Sequence, residues 1–342
     1  AASDVYKRQL MDSFEYHRPT TREEVSFLLT STSRAHIVSG STDLLGEMKQ
    51  GVVHPESLVS LAGVDGLKDI QSNGNVCILG SMVTLSDIVS NDDLSSSFPA
   101  LVKAAASVAT PQIRSIGTLG GNLCQRPRCW YYRSPLFDCL KKGGEKCFAV
   151  GGLDKYHAII GGDKCWIVHP SDIAVALTAL DAKVKIFGPA GCATMKMDDF
   201  FVGPGTDIQR ENVLGEGEFV SSIEITCEEE LSSSTFLKFK ERQSMDFALA
   251  SAAVSISLSG GKICRVGVVL GGIAPIPWRL TEIEEYMLGM TMEDLKRSDE
   301  LISKVDISLR DARPMSENNT YKIDLAISYL RRALDQVFRD LC

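Results

Sequence analysis

No stretch of this 342-residue chain is apolar over the length that a bilayer demands, and no hydrophobic secretory core follows its start. The first absence excludes membrane insertion. The second makes a reducing, cytoplasmic compartment the default. Positive charge is also scarce: 36 Lys and Arg stand against 44 Asp and Glu, a net charge of −8. The few basic clusters, such as Lys141–Lys142 and Arg331–Arg332, are short, so no concentrated positive field exists for nucleic acid or an anionic membrane. Ten cysteines are too few in a chain of this length for a disulfide scaffold. No C-x-x-C occurs, which disfavours a zinc ribbon or finger. Neither G-x-G-x-x-G nor a P-loop is present, so the common dinucleotide and nucleotide-triphosphate motifs fail. No Ser–His–Asp or paired-carboxylate constellation stands out, and no internal repeat is visible.

What remains has the composition of a core-forming globular protein of two or three domains, 44% apolar and 23% charged. The first nine residues, AASDVYKRQ, show no apolar period and resemble a translated sequencing adapter. Residues 1–11 are therefore expected to be non-native or disordered. TREEVSFLLTST reads as a helix, with Thr21 and Glu24 as a capping box and Val25, Leu28 and Leu29 on one face. A short strand from His36 to Ser39 runs through a tight turn into a helix. LVSLAGVDGLKDI and VCILGSMVTLSDI read as β-rich runs broken by glycine turns. FPALVKAAASVAT is a helix with Pro99 in its first turn, and PQIRSIGTLGGNL reads as a glycine-rich loop. The helix SDIAVALTALDA and the strand AKVKIFG follow. The acidic, serine-rich Cys227 to Thr235 is the linker candidate. Beyond it lies a further α+β unit whose last helix places Ile323, Ile327, Leu330, Leu334, Val337 and Leu341 at a 3.6-residue period. Strands and helices mix without regular βαβ alternation, so the fold class is α+β.

Two glycine loops carry chemical potential. They are Ser39-Gly40-Ser41-Thr42-Asp43 and Gly117-Thr118-Leu119-Gly120-Gly121-Asn122. Glycine lets backbone N–H groups converge on an anion, and the hydroxyls of Ser41, Thr42 and Thr118 add donors. Either loop alone is an ordinary tight turn. Two in one chain match the two phosphates of a dinucleotide.

The cysteines are unevenly spread. Cys129, Cys139, Cys147 and Cys165 fall in one long excursion, with nine, seven and seventeen residues between them. The excursion is rich in Gly, Lys and aromatics and lacks an evident core of its own. Four soft ligands suit an iron–sulfur cluster or a metal, while small buried apolar filler is the plain alternative. Cys124 is a fifth candidate. Cys77, Cys192, Cys227, Cys264 and Cys342 sit singly and read as filler.

GSTDLLGEMKQG, ATPQIRSIGTLGGNL, HPSDIAVALTALDA and GGIAPIPWR appear in the order found in FAD-binding subunits of the molybdenum hydroxylases. That family includes xanthine dehydrogenase, carbon monoxide dehydrogenase and bacterial aldehyde oxidoreductases. The resemblance runs from about Phe14 to near the C-terminus. The excursion bearing R-C-W-Y-Y and C-L-K-K-G-G-x-x-C further resembles flavin subunits of periplasmic aldehyde oxidoreductases and 4-hydroxybenzoyl-CoA reductase, which hold an extra 4Fe–4S cluster there. The resemblance implies a FAD-binding domain of the vanillyl-alcohol-oxidase (PCMH) type over residues 12–226. Its two α+β subdomains span about 12–62 and 63–226, with an iron–sulfur insertion at 123–168. A C-terminal α+β domain of the CO dehydrogenase flavoprotein type covers 235–342.

It also implies site residues. Ser39, Gly40, Ser41, Thr42, Asp43 and Leu44 match the first pyrophosphate loop, and Thr118, Leu119, Gly120, Gly121 and Asn122 the second. Asp172 matches an acidic residue near the ribitol and pyrophosphate, and Lys238 a lysine near the flavin. Cys129, Cys139, Cys147 and Cys165 become the cluster ligands and Cys124 the spare. Taken without the resemblance, Asp172 reads as a helix cap, Lys238 as an exposed strand charge and His169 as a loop hydrogen-bonder. One departure stands out: Ser41 replaces a Gly of the family's first loop. If that position needs φ > 0, the strain is about 1 kcal/mol.

The implied function is that of the FAD and 4Fe–4S electron-transfer subunit of a heterotrimeric molybdenum hydroxylase, an aldehyde oxidoreductase. Its partners would be a molybdopterin-binding large subunit, a 2Fe–2S small subunit and an external electron acceptor, with export beside a partner subunit as a route to the periplasm. Three rivals stand beside it. These are a 4-hydroxybenzoyl-CoA reductase-like subunit with reversed electron flow, a free-standing flavin oxidase, and a scaffold subunit without FAD.

Overall fold

Three sheets divide the chain in the computed structural model, which describes residues 11–227, 231–242, 245–296 and 298–341. The first is a small parallel sheet of β1 (Glu15–His17), β2 (Ala35–Val38) and β3 (Ser57–Ser60), in the order β1-β3-β2. The helix Arg22–Ser31 packs against it and buries Val25 beside Val59 and Leu61, with Leu28 and Leu29 half-buried. Its start is capped as expected, for Thr21 accepts from the Glu24 N–H. The Glu24 carboxylate, however, accepts from the Thr20 N–H at 3.0 Å, so the box closes one residue early.

The second sheet is antiparallel, in the order β4-β5-β8-β6-β7. It contains β4 (Ile70–Asn73), β5 (Val76–Gly80), β6 (Lys183–Gly188), β7 (Gly191–Lys196) and β8 (Phe219–Thr226). The third holds β9 (Ser232–Phe239), β10 (Ala250–Ser259), β11 (Lys262–Gly271) and β12 (Trp278–Arg279), in the order β12-β11-β10-β9. The helix Tyr321–Asp340 covers β9 and β10 with the expected stripe, burying Leu330, Leu334 and Val337. Leu341, just past the helix, is buried too.

The helix Asp172–Ala179 sits in the middle and is buried on every side. A helix apolar all round must lie between layers rather than on one, and this one packs on β10, β11 and the helix Pro99–Ser107. The approach to β11 is close enough to demand glycine. A Cβ at Gly267 would lie 2.0 Å from the Ala179 carbonyl oxygen. Arg279 then ties the layers together: its Nη1 meets Asp181 at 2.7 Å and Asp198 at 2.8 Å, while its Nε meets Glu284 at 2.9 Å.

Four expectations change. PQIRSIGTLGGNL is not a plain loop but contains two short helices, Pro111–Arg114 and Leu119–Leu123. Thr110 and Thr118 cap them, and those caps outweigh the low helix propensity of the glycines. The linker candidate ends early, because β9 begins at Ser232; residues 228–230 lie outside the described residues, as do 1–10 and Cys342. Cys192 and Cys264 are exposed rather than filler, being outward-facing positions of β7 and β11. The cysteine excursion does bury side chains. Tyr131, Phe137 and Phe148 form an aromatic knot with centroids 5.0–6.2 Å apart. Ile159 and Ile160 join the core of the third sheet. Among the described residues no helix is long and apolar enough to cross a membrane.

Candidate functional site

The first glycine loop leaves β2 at Ser39 and enters the helix Leu44–Lys49. It presses directly on the second loop: a Cβ at Gly40 would stand 2.2 Å from the Ile116 carbonyl oxygen. Ser41 has φ +59°, so the position does require the left-handed region and the serine carries the expected strain. Thr118 joins the two loops. Its hydroxyl donates to Ser39 Oγ at 3.1 Å and accepts from the Gly121 N–H at 3.2 Å.

Both loops line one cleft of about 830 Å³. Ser39, Gly40, Ser41, Thr42, Asp43, Leu44, Thr118, Gly120, Gly121, Asn122, Asp172 and Lys238 all face it. Leu119 does not; it is fully buried in the core behind its helix. Asp172 and Lys238 are an ion pair at 2.7 Å, each side chain 5% exposed, so neither plain reading of these residues holds. Ser171, not Asp172, caps the helix. Burial pushes the Asp172 carboxyl up, and the Lys238 ammonium opposes that shift. Lys238 also donates to the Ser107 carbonyl at 3.2 Å, and the Ser107 hydroxyl donates to Asp172 at 3.3 Å. His169 accepts from the Ser171 N–H at 3.4 Å, and burial takes its imidazole down to about 3. It is a neutral loop residue.

The cleft suits a dinucleotide on observations of its own. Two polar atoms on its lining residues, Ser81 Oγ and Arg128 Nε, are buried with no hydrogen-bond partner among the described residues. Gly121 lets the two loops close on each other, since a Cβ there would meet Ser39 Oγ at 2.7 Å and Thr118 Oγ1 at 2.9 Å. Sequence reasoning missed several lining residues. Arg126, Arg128 and Tyr132 come from the excursion, and Phe247 from the loop before β10. The Arg128 guanidinium lies 5.0 Å from the Phe247 ring centroid, across the mouth. The signal was the density of arginine and tyrosine beside Cys129, which we read only for its thiols.

Asp43 lines the cleft and also ties its loop to the excursion. Its carboxylate accepts from the Arg126 N–H at 2.7 Å, from Arg133 Nη2 at 2.7 Å and from Arg128 Nη1. Glu47, one turn on, accepts from the Tyr132 hydroxyl at 2.7 Å, and Glu211 pairs with Arg126 and Lys141. The first glycine loop is thus bolted to the cysteine excursion.

Cys129, Cys139, Cys147 and Cys165 line a second, small cavity with Tyr131, Tyr132, Lys141, His157 and Trp166. Burial raises the Cys129 thiol to about 11 and the Cys165 thiol to about 12, and neighbouring cysteines add to both shifts. His157 Nε2 lies 3.3 Å from Cys129 Sγ, and its Nδ1 is buried without a partner among the described residues. Burial lowers that imidazole to about 4, which keeps it neutral. Cys124 is absent from this cavity and faces the large cleft instead. Among the described residues no three His, Cys, Asp or Glu side chains are grouped closely enough to hold a metal ion. Tyr132 lines both cavities and is the wall between them.

Comparison with known proteins fits this geometry. Residues 12–225 match the model of the FAD binding domain in molybdopterin dehydrogenase, and residues 235–337 that of the CO dehydrogenase flavoprotein C-terminal domain. The chain is 30% identical over 321 residues to the aldehyde oxidoreductase FAD-binding subunit of Escherichia coli, covering 92% of this chain and 95% of that one. It is 25% identical over 327 residues to the carbon monoxide dehydrogenase medium chain of Afipia carboxidovorans, covering 95% and 96%. The solved carbon monoxide dehydrogenase of Hydrogenophaga pseudoflava superposes with a TM-score of 0.76 at 23% identity, over 97% of this chain and 100% of that one.

Proposed function

The chain belongs to the FAD-binding medium subunits of the molybdenum hydroxylases, and on that premise we propose that it carries both FAD and a 4Fe–4S cluster in an aldehyde-oxidising complex. The large cleft is the FAD site. Ser39 to Leu44 and Thr118 to Asn122 hold the diphosphate, Leu119 acting from behind as core, and the Asp172–Lys238 pair lines the cleft beneath them. The single observation behind this assignment is that the two loops, far apart in sequence, meet through Thr118 and Ser39 at the rim of one cleft. FAD, when bound, supplies the exchange between one-electron and two-electron transfer, so the side chains need only bind and orient it. Asp172, buried beside Lys238, fixes that ammonium on the cleft wall.

The small cavity is the cluster site. Its support is that all four excursion cysteines, and not Cys124, line it. Ligation of a four-iron centre by four thiolates is the usual arrangement. Electrons would reach the chain from a 2Fe–2S small subunit, after a molybdopterin-binding large subunit has oxidised an aldehyde, and would leave to an external acceptor. The domain division stays at 12–226 and 235–342, with the insertion at 123–168.

Anaerobic reconstitution of the full chain with FAD, iron and sulfide tests both sites. Iron and flavin per chain should approach the content of one 4Fe–4S centre and one FAD. Ser variants of Cys129, Cys139, Cys147 and Cys165 should each lose iron, and Cys124→Ser should keep it. Iron lost in Cys124→Ser but kept in Cys129→Ser would show that the first ligand is misassigned. A folded chain taking up neither cofactor would refute the reading.

A further inference from the structure

We propose that the two cavities are thermodynamically coupled, so that filling the cysteine cavity strengthens FAD binding, and that Asp43 and Arg133 carry the coupling as positioning residues. The inference rests on the cluster and FAD readings above and adds a connection that neither requires. Between Gln125 and Pro170 the only regular structure is one 3-10 turn, Leu140–Lys142, and one bridge, Cys139 to Lys146. Such a segment is held by turn hydrogen bonds and side chains rather than by a sheet or a long helix, so ligation at four points would add substantially to its order.

That order reaches the FAD loop through few contacts. The Arg133 N–H donates to the Cys129 carbonyl at 2.9 Å, placing the arginine one turn after a proposed ligand. Its guanidinium is held by its own loop, donating to the Pro127 carbonyl at 2.7 Å and the Arg126 carbonyl at 3.0 Å. The remaining reach goes to Asp43 at 2.7 Å, where the two side chains are 11% and 16% exposed, with Glu47 further off at 3.8 Å. Asp43 in turn adjoins Ser41 and Thr42 and lines the FAD cleft. Tyr132, the shared wall, is fixed by Glu47 and by Arg126 in the same network.

The sign of the coupling follows. An ordered excursion neutralises the Asp43 carboxylate with Arg128, Arg133 and the Arg126 N–H. A loosened excursion withdraws them, leaving a partly buried anion on the loop that must receive a diphosphate. Like charge then opposes FAD binding. The ordering of the excursion is also incurred once, so whichever cofactor binds second meets a chain already arranged. Linkage makes the effect reciprocal: FAD should tighten the equilibrium binding of the cluster by the same factor.

The test measures FAD affinity of the full chain by quenching of flavin fluorescence, with the cluster loaded and after its iron is removed by a chelator. Cys147→Ser serves as a second iron-free form. Iron removal should weaken FAD binding at least fivefold in the wild-type chain. In Asp43→Asn, which has no charge to expose, the two forms should differ by less than twofold. Arg133→Gln, whose side chain lies outside the cleft lining, should also shrink the ratio. Equal affinity with and without iron in the wild-type chain would overturn the coupling while leaving both sites standing. A fivefold ratio that persists in both Asp43→Asn and Arg133→Gln would overturn the role given to these residues. A wild-type chain that never takes up iron overturns the cluster reading and this inference together. The wild-type comparison needs no variant, so a variant that fails to fold leaves it decided.

Discussion

Gly121→Val should strip FAD from the chain while leaving the rest of the fold intact. The added Cβ would meet Ser39 Oγ at 2.7 Å and Thr118 Oγ1 at 2.9 Å, against an ordinary contact of 3.4–4 Å. Both oxygens are side-chain atoms and can swing aside, so the backbone survives. Their movement breaks the Thr118 bond to Ser39 and the cap on the Gly121 N–H. A lost cap costs about 1 kcal/mol and a lost hydrogen bond a similar amount. If only that stabilisation is withdrawn from the bound state, affinity falls at least tenfold, since about 1.4 kcal/mol is a factor of ten. The branched side chain also crowds the loop surface that the diphosphate would approach, which deepens the loss. The assay is the flavin-to-protein absorbance ratio after gel filtration, with far-UV circular dichroism to check the fold. Gly46→Val is the control: no atom lies within 4 Å of its Cβ, and Gly46 does not line the cleft. Normal flavin content in Gly121→Val would show that the second loop does not hold the cofactor. Equal flavin loss in Gly46→Val would show that the effect is general destabilisation.

Two further outcomes are expected. Ser41→Gly should raise the unfolding temperature slightly and keep FAD: the left-handed φ costs serine about 1–2 kcal/mol, and glycine returns about 0.5–1 kcal/mol of that through its looser unfolded chain. A lower unfolding temperature would refute the strain at this position. Lys322, fully buried and donating to the Gly272 and Tyr156 carbonyls, has its ammonium lowered by burial to about 7, against 10.5 in the unfolded chain. Between those values the unfolded state binds more protons, so this contribution is complete above pH 10.5 and is lost as pH falls towards 7. The stability of the wild-type chain minus that of Lys322→Met should therefore rise from pH 7 to pH 9.5 in thermal unfolding, with a linkage of up to one proton, and a flat difference would refute the burial argument.

Much of the architecture was legible because it rests on local patterns. The stripe of the last helix, Pro99 at the start of the helix Pro99–Ser107 and the Thr21 cap are each decided within a few residues, and each is present. The site was legible where a motif forces the backbone. Ser41 is the clearest case, since a serine at a family glycine position raised the question of a positive φ, and the loop has one. Reading failed where neighbours come from elsewhere in the chain. Lys238 looked like an exposed strand charge because its partner, Asp172, lies 66 residues away. Leu119 stood inside a cofactor motif, yet it turns into the core because its short helix must bury one face.

Asp43 shows most sharply what a motif leaves out. Its place after Gly-Ser-Thr puts its backbone in the loop proposed for the diphosphate, but the motif does not say where its carboxylate goes. Three groups of the excursion surround it, and Glu47 repeats the arrangement one turn later with Tyr132. The far end of the excursion is fastened as well. The Asn319 amide donates to the Ala158 carbonyl at 3.3 Å, the Lys322 ammonium to the Tyr156 carbonyl at 3.1 Å and the Ser316 hydroxyl to Asp154 at 3.0 Å. One end of the cysteine segment is therefore held by the first glycine loop and its helix, and the other by the C-terminal helix and the turn that precedes it. A segment with so little regular structure gains nothing from such fastening unless its own middle is rigid, because slack between two anchors transmits no force. Cys139 and Cys147 lie in that middle, with Cys129 beside the first anchor and Cys165 just past the second, and ligation by all four is what would make the two anchors one mechanical unit.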